Sequence, residues 1–438
     1  MSNNFEKYKV TTLTGIALVV ANMIGTGAFT SLGFQIKDLH NPTIILILWI
    51  LGGIIALSGA FSYAEIGTHI KRSGGEYAFL TKLFHPLIGY LSGWISITVG
   101  FAAPIALSAM AFVAYFPYYH LHPKLTSIVL VGLITLIHTK SLDVSSKFQN
   151  ISTFLKIALI VCLILIGIWQ EPTFQNSGFV NNSNYSYIIS PAFAVALIYV
   201  SYSYSGWNAA AYITEEFKNP KKSLPIALIG GTILVTILYT LLQYVFLKHV
   251  PIDELKGQLN VGTIAINRML GVNYGKLLGL AISILLISGI SAMVWVGSRV
   301  TSSIAKDHRF WNYFKVQKNN IPQKALWLQF AISALLITTG TFEQILIYCG
   351  ILLTISSMTT VLGVFKLRYQ RKDTPSDRYK SPLFPFFQIV FIILSLWMII
   401  YAFINSPYEI IVGFLNILLG FITYLLSERL YNNNQKAK

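Results

Sequence analysis

Three clusters of residues in this chain place polar chemistry inside long apolar runs, where it is costly. The first is Gly25-Thr26-Gly27, near the centre of the run Leu13–Phe34. Two glycines so close together weaken a helix and let its backbone unwind. Unwound backbone at membrane depth is tolerated only where protein buries it or where it lines a cavity. Small residues can also form a close-packed seam between helices, and this run alone leaves both readings open. The second cluster, Tyr202-Ser203-Tyr204-Ser205-Gly206-Trp207-Asn208, again gathers hydroxyls, a glycine and large aromatics. The third is a single charge, Lys156, within Ile151–Leu159.

The chemistry of such breaks follows from helix ends. The outgoing half of a broken helix begins with free N–H groups and partial positive charge; the incoming half ends with free carbonyls and partial negative charge. An α-amino acid zwitterion carries one carboxylate and one ammonium, so paired breaks offer partners for both. The N–H groups around Thr26 and Gly27 suit the carboxylate, and the carbonyls of Met23, Tyr202 and Ser205 suit the ammonium. The candidate substrate-binding residues are Met23, Ile24, Gly25, Thr26, Gly27, Tyr202, Ser203, Ser205 and Gly206. A lysine at helix centre costs about 3 kcal/mol on insertion scales, which marks Lys156 as a functional candidate. The alternative is that it snorkels to the nearer interface.

The elements that must hold these clusters are membrane spans. The chain is 54% hydrophobic and only 11% charged over 438 residues, too little charge for a soluble domain of this size. Crossing a bilayer takes about 20 apolar residues. The runs are Leu13–Phe34, Thr43–Ala64, Leu87–Tyr115, Leu125–Ile137, Ile151–Trp169, Pro191–Ile213, Leu224–Leu247, Leu278–Val300, Leu326–Gly340, Ile345–Phe365, Phe384–Phe403 and Ile410–Leu426. This predicts an all-α polytopic membrane protein with about a dozen spans in one domain, 1–438. The short tails Met1–Lys9 and Glu428–Lys438 suggest no regulatory domain.

Net charge is +16, and its placement is informative. With the N-terminus cytoplasmic and the spans alternating, 25 of the 32 basic residues fall inside, six outside, and Lys156 within a span. That is the positive-inside pattern, with both termini cytoplasmic in an inner or plasma membrane, and it displaces nucleic acid as the partner. Cys162 and Cys349 lie within apolar spans and read as small buried hydrophobes. His120 and His122 lack a third ligand, so no metal site is expected. Asn181 and Asn184 fit glycosylation sequons, a common pattern. No GxSxG, HExxH, CxxC or phosphate-loop motif occurs. Neither an enzyme nor a cofactor is expected. Glu65, Glu215 and Glu216 read as a solvated or salt-bridged gate beside Lys71, Arg72 and Lys218, and Trp49, Trp94 and Trp295 as packing residues.

Breaks in the first and sixth spans fall where corresponding helices of two five-helix repeats would lie, the best sequence pointer to an inverted-repeat transporter site. Asn22–Phe29, Tyr63–Gly67 leading to Ser73–Ala78, and Ser205–Asn208 running into Thr214–Pro220 and Leu224-Pro225 carry a resemblance. Weaker echoes are Gly297-Ser298-Arg299 and Arg378–Pro382. The chain resembles the amino acid–polyamine–organocation superfamily, most nearly its L-type amino acid transporter branch and bacterial relatives. The resemblance implies a LeuT-type fold: repeats at about 11–170 and 191–367, then two further helices at about 384–427. It implies that the Gly25–Gly27 turn holds the substrate carboxylate and that Tyr202 is an aromatic gate. It also implies that the ammonium of Lys156 stands where others bind sodium, or couples protons. Tyr202 and Ser205 lean the expectation towards small or medium neutral amino acids, moved by sodium-independent exchange or proton symport. Rival readings are an amino-acid receptor without net transport and a permease for another amine such as a polyamine. Heteromeric members bond an ancillary glycoprotein through a cysteine in the loop after the third span. Here that loop, Pro117–Lys124, has none, so no disulfide-linked subunit is expected.

Overall fold

The computed structural model describes residues 10–70, 72–117, 122–140, 144–172, 188–315, 321–370 and 378–436. Expectations about the sequons at Asn181 and Asn184, about His120 and Lys71, and about residues 118–121 of the loop after the third span lie outside them. Apart from one isolated bridge between Val10 and Phe217, the ordered elements are helical.

The first span is not one helix. It comprises α1 (Thr12–Met23), α2 (Gly27–Thr30) and α3 (Leu32–Gln35). Next comes α4 (Pro42–His69), entered by Pro42 at the first turn while the Asn41 side chain accepts the N–H groups of Thr43 and Ile44. The following loop contains a helix that the hydropathy pattern does not reveal, α5 (Gly75–Leu83). The third span runs as α6 (Pro86–Ile95), a π-helical segment (Ser96–Phe101) and α7 (Ala102–Tyr115). Beyond it lie α8 (Pro123–Lys140) and α9 (Val144–Trp169).

The sixth span is broken as well. It runs as α10 (Pro191–Ser203), a turn, and a 3₁₀ segment (Ala209–Glu216) kinked at Ile213. The remainder is α11 (Pro220–His249), α12 (Ile252–Leu255), α13 (Val261–Leu270), α14 (Val272–Asp307), a 3₁₀ segment (Arg309–Phe314), α15 (Gln323–Thr339), α16 (Phe342–Gln370), α17 (Phe386–Asn405) and α18 (Pro407–Lys436). Among the described residues, eight helices are long and apolar enough to cross a membrane. The other expected spans are the two broken ones and the shorter α8 and α15, of 18 and 17 residues.

α1 packs on α11, and α11 on α4, while α14 lies along α7. Glycines make the tightest of these approaches possible: a Cβ on Gly231 of α11 would fall 2.7 Å from a methyl of Val19. The lipid-facing stretches of α17 and α18 carry exposed Phe403, Ile404, Ile411 and Phe414, as expected where hydrocarbon is the solvent.

Candidate functional site

The two breaks meet at the centre of the bundle. Gly27 fits only because it is glycine: a Cβ there would lie 2.5 Å from Ser203 Cα. Gly206 sits at φ +100°, and a Cβ there would lie 2.8 Å from the Asn22 carbonyl. Gly25 differs, since a Cβ on it would meet nothing nearer than the Met23 carbonyl oxygen at 4.0 Å. So the two readings of the glycine pair each hold at a different residue: Gly27 is a packing seam and Gly25 borders open space.

The termini at the first break are well defined. α1 ends at Met23, with the Ile24 N–H bonded back to the Val20 carbonyl and Ile24 itself extended at φ −74° and ψ 93°. The next half starts at Gly27, and its first intrahelical bonds are those from Phe29 and Thr30 to the Thr26 carbonyl. The N–H groups of Gly27 and Ala28 therefore precede the first bonded donor of their own half and have no acceptor within it, as at any helix start. Hydroxyls stitch the half to the sixth span: Ser31 Oγ and Ser203 Oγ lie 2.8 Å apart, and the Tyr202 hydroxyl hydrogen-bonds Thr26.

Two of the three carbonyls expected to be free already have partners. The Tyr239 hydroxyl of α11 donates to Met23, and the Ser205 N–H donates to the Tyr202 carbonyl at 2.8 Å. Among the described residues no donor meets the Ser205 carbonyl. The correction has a simple cause: a broken helix frees its carbonyls only from its own i+4 donors, and a neighbouring helix can supply another.

Lys156 is 5% exposed and lies 12 residues into α9, which begins at Val144 and so is longer than the apolar run from Ile151. Its ammonium stands 3.6 Å from where a Cβ on Gly289 of α14 would sit, in a cleft also lined by Asn22, Ile24, Gly25 and Ser108. That burial corrects the snorkelling alternative: the cation stays inside the bundle, in a cleft that the first break also lines.

The acidic residues sort differently from the expected gate. Glu65 is buried and receives Arg368 through both oxygens at 2.7 and 2.8 Å, together with the Ser381 N–H at 2.7 Å. Arg72 turns instead to Asp307, 2.9 Å away, which also accepts the Tyr77 hydroxyl. Glu215 and Glu216 are exposed. At the opposite end of the bundle Lys37 pairs with Glu343, whose other oxygen accepts the Tyr199 hydroxyl. Trp49 is packed, its indole N–H donating to Gln35.

Sequence reasoning passed over Glu76, quoted only within a motif. It is 2% exposed, and burial pushes its carboxyl up while surrounding hydroxyl and amide donors pull it back. A carboxylate directly after two glycines, between the second and third spans, was the available signal. Among the described residues no group of three His, Cys, Asp or Glu could hold a metal ion.

The family model described as amino acid permease matches residues 10–426. The human cystine/glutamate transporter is 25% identical over 430 residues, covering 96% of this chain and 85% of that protein. A mouse b(0,+)-type amino acid transporter 1 is 30% identical over 432 residues, covering 94% and 86%. The mouse large neutral amino acids transporter small subunit 2 is 26% identical over 443 residues, covering 96% and 81%.

Proposed function

This chain belongs to the amino acid permease family, a family of membrane transporters and not of enzymes, and on that premise we propose that it is a sodium-independent secondary transporter of neutral, small to medium L-amino acids. It works by alternating access, as an exchanger or a proton symporter. The observation that carries this reading is the cleft at the first break, where Gly25 borders open space and the buried Lys156 lines the same cleft.

The substrate carboxylate is taken by N–H groups of the Gly25–Gly27 turn, aided by the positive end of the outgoing half-helix. Its ammonium is taken by carbonyls beside the breaks, with Ser205 the freest. Tyr202, tied to Thr26, closes over the bound molecule. Lys156 supplies a fixed positive charge beside the first break, replacing a sodium ion, or carries a coupled proton. A lysine reaches such a place readily because its charge sits at the end of a flexible stem. The bundle is read as two five-helix repeats, 11–170 and 191–367, followed by two helices. It lies in the cell membrane with both termini cytoplasmic, and the ends marked by Val10 and Lys37 are the inner and outer ends.

We expect the chain to function without a disulfide-linked subunit: Cys349 is buried, and Cys162, exposed and not buried as its apolar run suggests, lies along the span α9 and not in a loop. One relative is named a small subunit, so a non-reducing gel of the natively expressed protein is the check; a reducible heavier species overturns this expectation.

The transport reading is tested with purified protein in liposomes free of sodium, measuring uptake of labelled neutral L-amino acids. Uptake that requires internal amino acid identifies an exchanger, and uptake driven by an inward proton gradient alone identifies a symporter. Inert liposomes for every amino acid overturn the reading, in favour of a receptor or an amine permease.

A further inference from the structure

Glu76 belongs to neither break, yet it is tied to one of them. Its place is set by a turn that glycine makes easily, with Gly74 at φ +119° and Gly75 at φ +56°. A Cβ on Gly75 would also fall 2.7 Å from the Tyr212 ring. Donors from three other elements converge on its carboxylate. Tyr63 of α4 and Asn208 of the sixth-span turn reach Oε1 at 2.7 and 2.8 Å, and Tyr212 of the 3₁₀ segment reaches Oε2 at 2.7 Å. Ser357 of α16 adds a further side-chain hydrogen bond. Tyr212 also hydrogen-bonds Ser96, the first residue of the π-helical segment.

These partners are hydroxyl and amide groups, and among the described residues no basic side chain pairs with Glu76. An ionised carboxylate only accepts, so it satisfies every donor at once, whereas an amide in its place sets donor against donor. The carboxylate also sits between two irregular stretches, the π segment and the kinked 3₁₀ segment, and such stretches often mark hinges.

We propose that Glu76 is a positioning residue: a buried acceptor that clamps the inner half of the sixth span, through Asn208 and Tyr212, to α4, the π segment and α16. The clamp is released and remade in each cycle, so it governs turnover and leaves substrate affinity nearly alone. The inference rests on the alternating-access reading above.

The test uses full-length protein in liposomes and whichever of L-alanine, L-serine, L-valine and L-leucine the wild type carries. Exchange turnover and equilibrium binding of that amino acid are measured for wild type, Glu76→Gln, Glu76→Asp, Tyr212→Phe and the Glu76→Gln/Tyr212→Phe double variant. Expected for Glu76→Gln is binding within about threefold of wild type and turnover down more than about tenfold. Glu76→Asp, which keeps the acceptor, recovers at least part of the rate. Tyr212→Phe is slow too, and the double variant is no slower than Glu76→Gln, because both changes open the same contact. Wild-type turnover in Glu76→Gln, parallel loss of binding and rate, or multiplicative effects in the double variant overturn the proposal. If Glu76→Gln does not fold, the same split of turnover from binding in Tyr212→Phe decides the matter. Inert wild-type liposomes count against the transport reading and not against the clamp.

Discussion

The two breaks are built from the same kinds of residue and do opposite things. At the first, Ile24 and Gly25 leave the helix with space beside Gly25. At the sixth, Gly206 is driven against the Asn22 backbone, and two residues later Asn208 is held by Glu76. One break is a vacancy and the other is a joint. At the first, Gly25 borders space while Gly27 packs on Ser203; at the sixth, glycine serves a positive φ and a close approach that no side chain permits. A sequence motif at a break thus identifies irregular backbone but not which of these roles it plays.

The contrast can be broken or sharpened by substitution, and the largest effect is expected at the joint. Gly206→Val adds a left-handed-region penalty of about 1–2 kcal/mol to an overpacking cost of about 1–3 kcal/mol. We expect loss of folded protein on gel filtration together with loss of transport; a well-folded, active variant would remove the joint from the account. Lys156→Ala follows. Transport is expected to fall more than about tenfold, equivalent to about 1.4 kcal/mol or more, with the protein still monodisperse. An unchanged transport rate rules out both the sodium-replacing and the proton-coupling role.

Gly25→Ala and Gly27→Ala separate vacancy from seam most directly. The Gly27 variant drives a methyl into Ser203 and should lower thermal stability by an amount matching about 1–3 kcal/mol of overpacking. The Gly25 variant meets nothing nearer than the Met23 carbonyl oxygen at 4.0 Å, so its melting temperature should stay near wild type while its KM rises about tenfold, again worth about 1.4 kcal/mol. Equal stability loss in both would mean that the two glycines share one role. Tyr202→Phe deletes the hydroxyl on Thr26, a bond worth about 1 kcal/mol, and should raise KM about fivefold in the uptake assay. Smallest is Lys37→Ala at the opposite end. Its pair with Glu343 is about a third exposed on each side, so less than about 1 kcal/mol and only a severalfold change in exchange rate are expected.

Much of this molecule was legible locally. Apolar runs of bilayer length located the long helices, because the hydrocarbon requirement acts on each stretch of chain by itself. The interruptions at Gly25–Gly27 and Ser205-Gly206 showed through because glycine and hydroxyl residues weaken a helix wherever they stand. Hydropathy missed α5, α12 and α13, which are short and lie between spans, and the π segment, which is as apolar as the α-helix around it.

What the tertiary structure alone decided concerns partners far apart in sequence. Tyr239 takes the Met23 carbonyl from 216 residues away, which the pattern around Met23 cannot announce. Arg368, and not the neighbouring Arg72, pairs with Glu65 across 303 residues. The packing of α9 against α1 and α14 buries Lys156 in the cleft that Gly25 also lines, whereas its sequence neighbourhood leaves a snorkelling lysine open. Glu76 becomes a hub only because four elements bring donors to it. Local composition determines where a helix can form or fail, since that energy is paid residue by residue. Which exposed polar group then stays free is decided by the other helices, because a buried donor or acceptor is matched by whatever the fold brings within 3 Å or so.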